Sequence, residues 1–205
     1  MSRKQLITCR KPHLTDPILR NPIEAINFSF TSPDAARLVK EAKIHVDLMK
    51  IWIFGLKSES NGNLDREEPR IELFFDGEDE NPIVWRFTND KDNEANLHEK
   101  TMIDGTILEK CFHTSETVIG SVTTSSELIG HLNLLEMHFR SIFEVDRTDI
   151  ELEGDEAKEY AKYHGEDGNS KKTVRNLRIH GEISKNDREK VMEKFIQEEE
   201  GISET

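Results

Sequence analysis

Ile26, Phe28 and Phe30 alternate with Asn27 and Ser29 in IEAINFSF, residues 23 to 30. That two-residue period predicts a half-buried strand where order begins. Ser32 followed by Pro33 then supplies an N-cap and a first-turn proline, and Ala35, Ala36, Leu38, Val39 and Ala42 continue as a short helix. From Ile44 to Leu56 the apolar positions switch parity: Ile44, Val46 and Leu48 share one, Met49, Ile51 and Ile53 the other. A long strand with a bulge, or one buried on both faces, fits this shift. RIELFF and IVWRF, separated by the acidic DGEDENP, read as an antiparallel hairpin. Residues 89–105 are polar and poorly patterned, and 106–123 supply one or two further strands through Ile107, Cys111, Val118, Ile119 and Val122.

The second half changes period. Ser125 or Ser126 can cap a helix running to about Val145, the longest apolar stripe in the chain. TDIELE is a short strand, and Ala157, Tyr160, Ala161 and His164 mark a helix that Gly165 ends. Leu177, Ile179, Gly181 and Ile183 share one strand face. A last helix runs from Lys185 to Glu200, capped by Ser184, with a stripe of Val191, Met192, Phe195 and Ile196. The layout predicts an α+β protein: a strand-rich N-terminal half with a mostly antiparallel sheet, then helix-strand-helix-strand-helix, in one compact unit. Within it, residues 1–22 form a basic arm, 23–183 a single domain and 184–205 an amphipathic C-terminal helix and tail.

Charge narrows the partners. With 41 acidic against 28 basic side chains in 205 residues the formal net charge is −13, which repels phosphate backbones and anionic lipid over most of the surface. The exception is the arm, where Arg3, Lys4, Arg10, Lys11 and Arg20 face Asp16 alone. Nucleic acid is therefore expected only through residues 1–22, and a membrane not at all, since the longest apolar stretch, Ile51 to Leu56, is too short to span a bilayer. Two cysteines, Cys9 and Cys111, make no disulfide framework. With no apolar signal core in the first 30 residues, a reducing, cytoplasmic home is the expectation.

Candidate chemistry centres on His131 and His138 in HLNLLEMHF. At about 100° per residue they stand within about 20° of each other on a helical wheel, inside the apolar arc, while Asn133, Glu136 and Arg140 mark the wet side. Seven residues also place them about 10.5 Å apart along the axis, too far for one ion. A metal reading needs donors from elsewhere, and Cys111 with His113, alternate residues of one strand, would join His131 or His138 around zinc or another transition metal. The plainer reading makes both histidines interior or rim residues bonded to neighbouring polar groups.

Other matches fall short. GEDGNSKKT stands between a helix and a strand, the reverse of a phosphate loop, and NDKDNE fails the calcium-loop register at Ala95 and Thr101. No catalytic signature is present. Lys171, Lys172, Arg175 and Arg178 form a basic stretch that is either a mixed-charge solvated face or a docking edge, and Met192, Phe195 and Ile196 line a helix that packs on the body or on another chain. These features favour a non-enzymatic cytoplasmic interaction protein, an adaptor, inhibitor or assembly subunit bound to another protein or to its own copies, with no cofactor. The alternative is a metal-binding protein or metal-dependent enzyme built on the Cys/His cluster.

Overall fold

The computed structural model describes residues 21–54, 68–75, 81–88, 98–112, 117–163, 174–181 and 183–195. In chain order the elements are α1 (Pro22–Ser29), α2 (Pro33–Glu41), β1 (His45–Val46), β2 (Leu48–Ile53), β3 (Arg70–Phe74), β4 (Ile83–Thr88), β5 (His98–Ile103), β6 (Thr106–Phe112) and β7 (Val118–Val122). They continue with α3 (Leu128–Ile142), β8 (Glu144–Val145), β9 (Thr148–Glu153), α4 (Gly154–Tyr163), β10 (Val174–His180) and α5 (Lys185–Phe195). This is the α+β layout read from the pattern, strand-rich first and helix-alternating second. No described helix is long and apolar enough to cross a membrane.

Eight strands form one sheet in the order β10-β9-β2-β3-β4-β7-β6-β5, and β1 pairs with β8 beside it. Pairing is antiparallel for β2–β3, β3–β4, β5–β6 and β6–β7, and parallel where β9 enters between β2 and β10 and where β4 meets β7. Register stacks Ile150, Ile51, Ile71, Trp85 and Ile119 across one face. Phe30, just after α1, and Phe139 of α3 meet Trp85 edge-on, with centroids 5.5 and 6.0 Å away, so the helices lie on that face. A fully buried aromatic such as Trp85 contributes about 1.5–3 kcal/mol by burial alone, and its indole N–H donates to Ser121 Oγ at 2.9 Å.

Local sequence explains most boundaries, and four depart from expectation. Residues 23–30 are not a strand. Asn21 accepts from the Ile23 amide at 3.1 Å and Pro22 occupies the first turn, so α1 starts there and Ala25, Ile26 and Ser29 form its buried stripe. Eight residues fit both periods; the Asn-Pro cap decides. Asn21 and Pro22 thus belong to α1, and residues 1–20 of the basic arm lie outside the described residues.

Residues 98–103, inside the stretch read as unpatterned, form β5. Asp104 and Gly105 both have positive φ, 47° and 81°, the geometry of a two-residue type I′ turn, and they close the β5–β6 hairpin. An Asp-Gly pair between Met102-Ile103 and Thr106-Ile107 is the signal for it. The segment from Ile44 is two strands, because the ladder breaks at Asp47 where the parity switches. Finally, α3 begins at Leu128 with Glu127 as its cap residue and no side-chain cap bond. It stops at Ile142 because Phe143 turns extended and sends Glu144–Val145 to pair with β1.

Of the flank of α3 expected to be wet, Asn133 and Arg140 are half-buried and Glu136 is buried. Glu136 is 0% exposed, pairs with Arg140 at 2.9 Å and accepts from Tyr160 Oη, while Arg140 also donates to Thr148 Oγ1 at 2.7 Å. α4 and β9 close over this flank, and the Tyr160 hydroxyl is held well above its usual range by burial and by the Glu136 carboxylate. α5 joins the same core: the Ser184 hydroxyl caps it through the Asp187 amide at 3.1 Å, and Val191 and Phe195 are buried.

Candidate functional site

The two histidines of α3 have different neighbours. His138 lies flat on Phe30, with ring centroids 4.5 Å apart and planes 18° apart, and its Nε2 is 2.9 Å from Ser29 Oγ. Ser29 already gives its single proton to the Ile26 carbonyl at 2.7 Å, so His138 Nε2–H is the donor and the serine oxygen accepts. That polarity is the reverse of an activated nucleophile. Burial depresses the imidazole to about 4, outweighing the attraction of Asp104, with Lys110 adding to the depression. At neutral pH it is an uncharged interior donor.

Lys110, absent from the sequence reading, completes this interior group. It is 2% exposed, with Nζ 4.6 Å from the Phe30 centroid, 5.9 Å from Trp85 and 3.4 Å from Asn27 Oδ1. Burial lowers its pKa against the pull of Glu99. Its signal was strand parity, since Lys110 shares a face of β6 with the buried Leu108.

His131, one helical turn in, opens on a concavity. Its Nδ1 meets Thr123 Oγ1 at 2.8 Å, and burial lowers its pKa against Glu127. A cavity of about 220 Å³ lies beside it, lined by Lys100, Ile107, Glu109, Thr123, Glu127 and His131 among others. Lys100 and Glu109 pair across the hairpin at 3.8 Å. Above them Met102 and Ile107 stand opposite each other in the β5–β6 register, 67% and 58% exposed. Thr124 at the cavity wall donates to Glu127 at 2.7 Å, which holds that carboxylate at the entrance of α3.

The remaining sequence candidates are scattered. Cys111 holds a backbone position in β6 between His98 and Gly120, but its side chain and all of His113 lie outside the described residues, as do Lys171, Lys172 and Ile196. The two residues of the Cys/His cluster that can be followed, His131 and His138, bind separate hydroxyls. Arg175 is bidentate to Asp149 at 3.0 and 2.6 Å, and Arg178 and His180 meet Glu151 at 3.2 and 2.8 Å. Those side chains are engaged by the neighbouring strand. Met192 is half-buried, and Phe195 stacks on Tyr160 with centroids 5.9 Å apart. The phosphate-like loop and the NDKDNE loop also lie outside the described residues.

Among the described residues one set of metal-type donors does converge, with no signal in the residue spacing: His45, Asp47 and Asp146. Compared with protein-family models, curated proteins and solved structures, the chain has no match.

Proposed function

We propose that this chain is a non-enzymatic cytoplasmic interaction protein, an adaptor, inhibitor or assembly subunit, that grips a partner polypeptide at the β5–β6 end of its sheet. The observation that carries the reading is the opposed pair Met102 and Ile107, both largely exposed, with Ile107 lining a polar cavity. Apolar anchors next to a side-chain-sized recess are the usual core of a protein contact, with a polar rim around them. A volume of about 220 Å³ is below the ~300–1,000 Å³ of small-molecule sites, and suits one inserted side chain. Glu109 and Glu127 outnumber Lys100 in the recess, and in a chain of net charge −13 that balance favours a partner that sets cations beside its apolar anchor.

The test begins with a photo-crosslinking residue at Met102 of the full chain, to identify what docks there. Affinity for the purified binder is then measured for wild type, for the double variant Met102→Asp/Ile107→Asp and for Arg178→Asp. The reading expects the double variant to lose at least about tenfold, about 1.4 kcal/mol, with Arg178→Asp unchanged. Loss confined to Arg178→Asp would move the contact to the β10 edge and overturn it. A crosslinked second copy of this chain would make the partner a homo-oligomer.

A further inference from the structure

We propose that His45, Asp47 and Asp146 form a site for a divalent first-row transition ion, at a place where two neighbouring parallel strands break at the same level. The inference is independent of the hairpin reading. His45 and Asp47 are two residues apart, on one side of an extended segment. β1 and β8 pair in parallel with Val46 opposite Val145, so the residues that follow, Asp47 and Asp146, leave the ladder side by side. Beyond the break the same two chains pair again as β2 and β9. A continuous strand would turn Asp47 and Asp146 into ordinary ladder positions; the twin interruption frees both carboxylates next to the imidazole.

The backbone around the three donors is pinned. The Asp47 amide donates to the Phe74 carbonyl at 2.9 Å, the Asp146 amide to Val46 at 3.0 Å and the Met49 amide to Arg147 at 2.9 Å. Arg147 Nε reaches the Asp47 carbonyl at 3.2 Å, so it braces the break through the main chain. His45 Nε2 lies 2.8 Å from Asp146 Oδ2 and 3.6 Å from Asp47 Oδ1, and the ligand atoms all fall within 4.8 Å of one another. Bonds of about 2.0–2.2 Å place donors about 3–3.5 Å apart, so small side-chain rotations bring this set into range.

Chemistry selects the ion class. One imidazole nitrogen with two carboxylate oxygens suits zinc, manganese or iron(II) better than a soft ion, which wants sulfur. Binding at His45 Nε2 takes the place of its hydrogen bond to Asp146, and the hydrogen of the neutral ring then sits on Nδ1. The side chains are 49%, 30% and 53% exposed for His45, Asp47 and Asp146, which leaves room for water to complete the coordination. An ion here ties together segments about a hundred residues apart and clamps the two-residue β1–β8 pair.

The experiment uses the full chain, stripped with chelator and returned to chelator-free buffer at neutral pH. Calorimetric titration with ZnCl₂ is run on wild type, His45→Ala, Asp146→Asn, Cys111→Ser and His131→Ala. The site predicts one saturable equivalent in wild type, weakened at least about tenfold in the first two variants, since even outer-shell partners of a metal site are worth 10–100-fold. The last two variants should bind like wild type. Because His45 and Asp146 are exposed, their variants keep the fold, which circular dichroism verifies. Independently, Mn²⁺ should broaden amide resonances around residues 44–48 and 144–148 first. Absence of a saturable equivalent, binding that survives both donor variants, binding lost instead with Cys111→Ser or His131→Ala, or broadening centred elsewhere, each overturns the proposal.

Discussion

At the β10 edge of the sheet the described outward basic side chains are answered from the next strand: Arg175 by Asp149, and Arg178 and His180 by Glu151. At the β5 edge the outward positions include Lys100 and Met102, and Met102 faces Ile107 across the hairpin with both side chains mostly in solvent. Charged, locally satisfied side chains blunt a sheet edge against other chains, whereas an exposed apolar pair invites contact. The same contrast runs inward. Behind β9 the helix layer buries an anion that is fully answered, Glu136 held by Arg140 and Tyr160; behind β6 it buries a cation, Lys110, answered mainly by aromatic faces and one amide oxygen. One end of the molecule is closed by ion pairing and the other presents an exposed apolar pair.

The sharpest way to break that contrast is at Glu136. Glu136→Ala takes the buried carboxylate away from Tyr160 Oη and the Arg140 guanidinium and leaves a void, and removing one partner of a buried pair costs about 3–5 kcal/mol. Urea unfolding followed by fluorescence should show that loss; a change of under about 1 kcal/mol would mean water already serves this flank.

The opposite interior is probed by pH. The folded-state value of His138 lies near 4 against 6.5 for the free group, so folding favours the neutral ring. Its contribution is therefore complete above pH 6.5 and is lost as pH falls towards 4, at up to about 1.4 kcal/mol per pH unit. Unfolding free energies across that window should slope accordingly in wild type, and His138→Gln should flatten the slope. An unchanged slope would assign the acid sensitivity to carboxylates instead.

At the surface the effects shrink. Met102→Asp with Ile107→Asp should alter stability by no more than about 0.5 kcal/mol, as expected away from the core, while abolishing partner capture; a large stability loss would make the hairpin a core element and erase the contrast between the edges. Arg178→Ala sits at the bottom of the scale. The Arg178 end of its pair with Glu151 is largely in solvent, surface pairs are worth about 0–1 kcal/mol, and thermal melts should barely move.

Much of this architecture was legible from the chain. Ser32-Pro33 and Ser184 mark helix starts that the structure confirms by cap bonds to Ala35 and Asp187, and the alternation in RIELF and IVWRF gives the β3–β4 hairpin. Where two periods competed, local chemistry was the arbiter: the Asn-Pro cap overrode the alternation in α1, and Asp-Gly built a strand from the polar 98–103. The site was less legible. The arc of α3 that carries the histidines was visible, but not that His138 would close on Ser29 while His131 opened on a cavity.

Periodicity, caps and turn residues are properties of neighbours in sequence, and by themselves they determined which segments are helices and strands and the α+β class. Which flank of each element is covered depends on segments far away in the chain. Only the tertiary structure could bury Glu136 under α4, enclose Lys110 between Phe30 and Trp85, and bring His45 and Asp47 to Asp146. The free energy of a polar group is set by the partners and solvent around it, and those are supplied by packing.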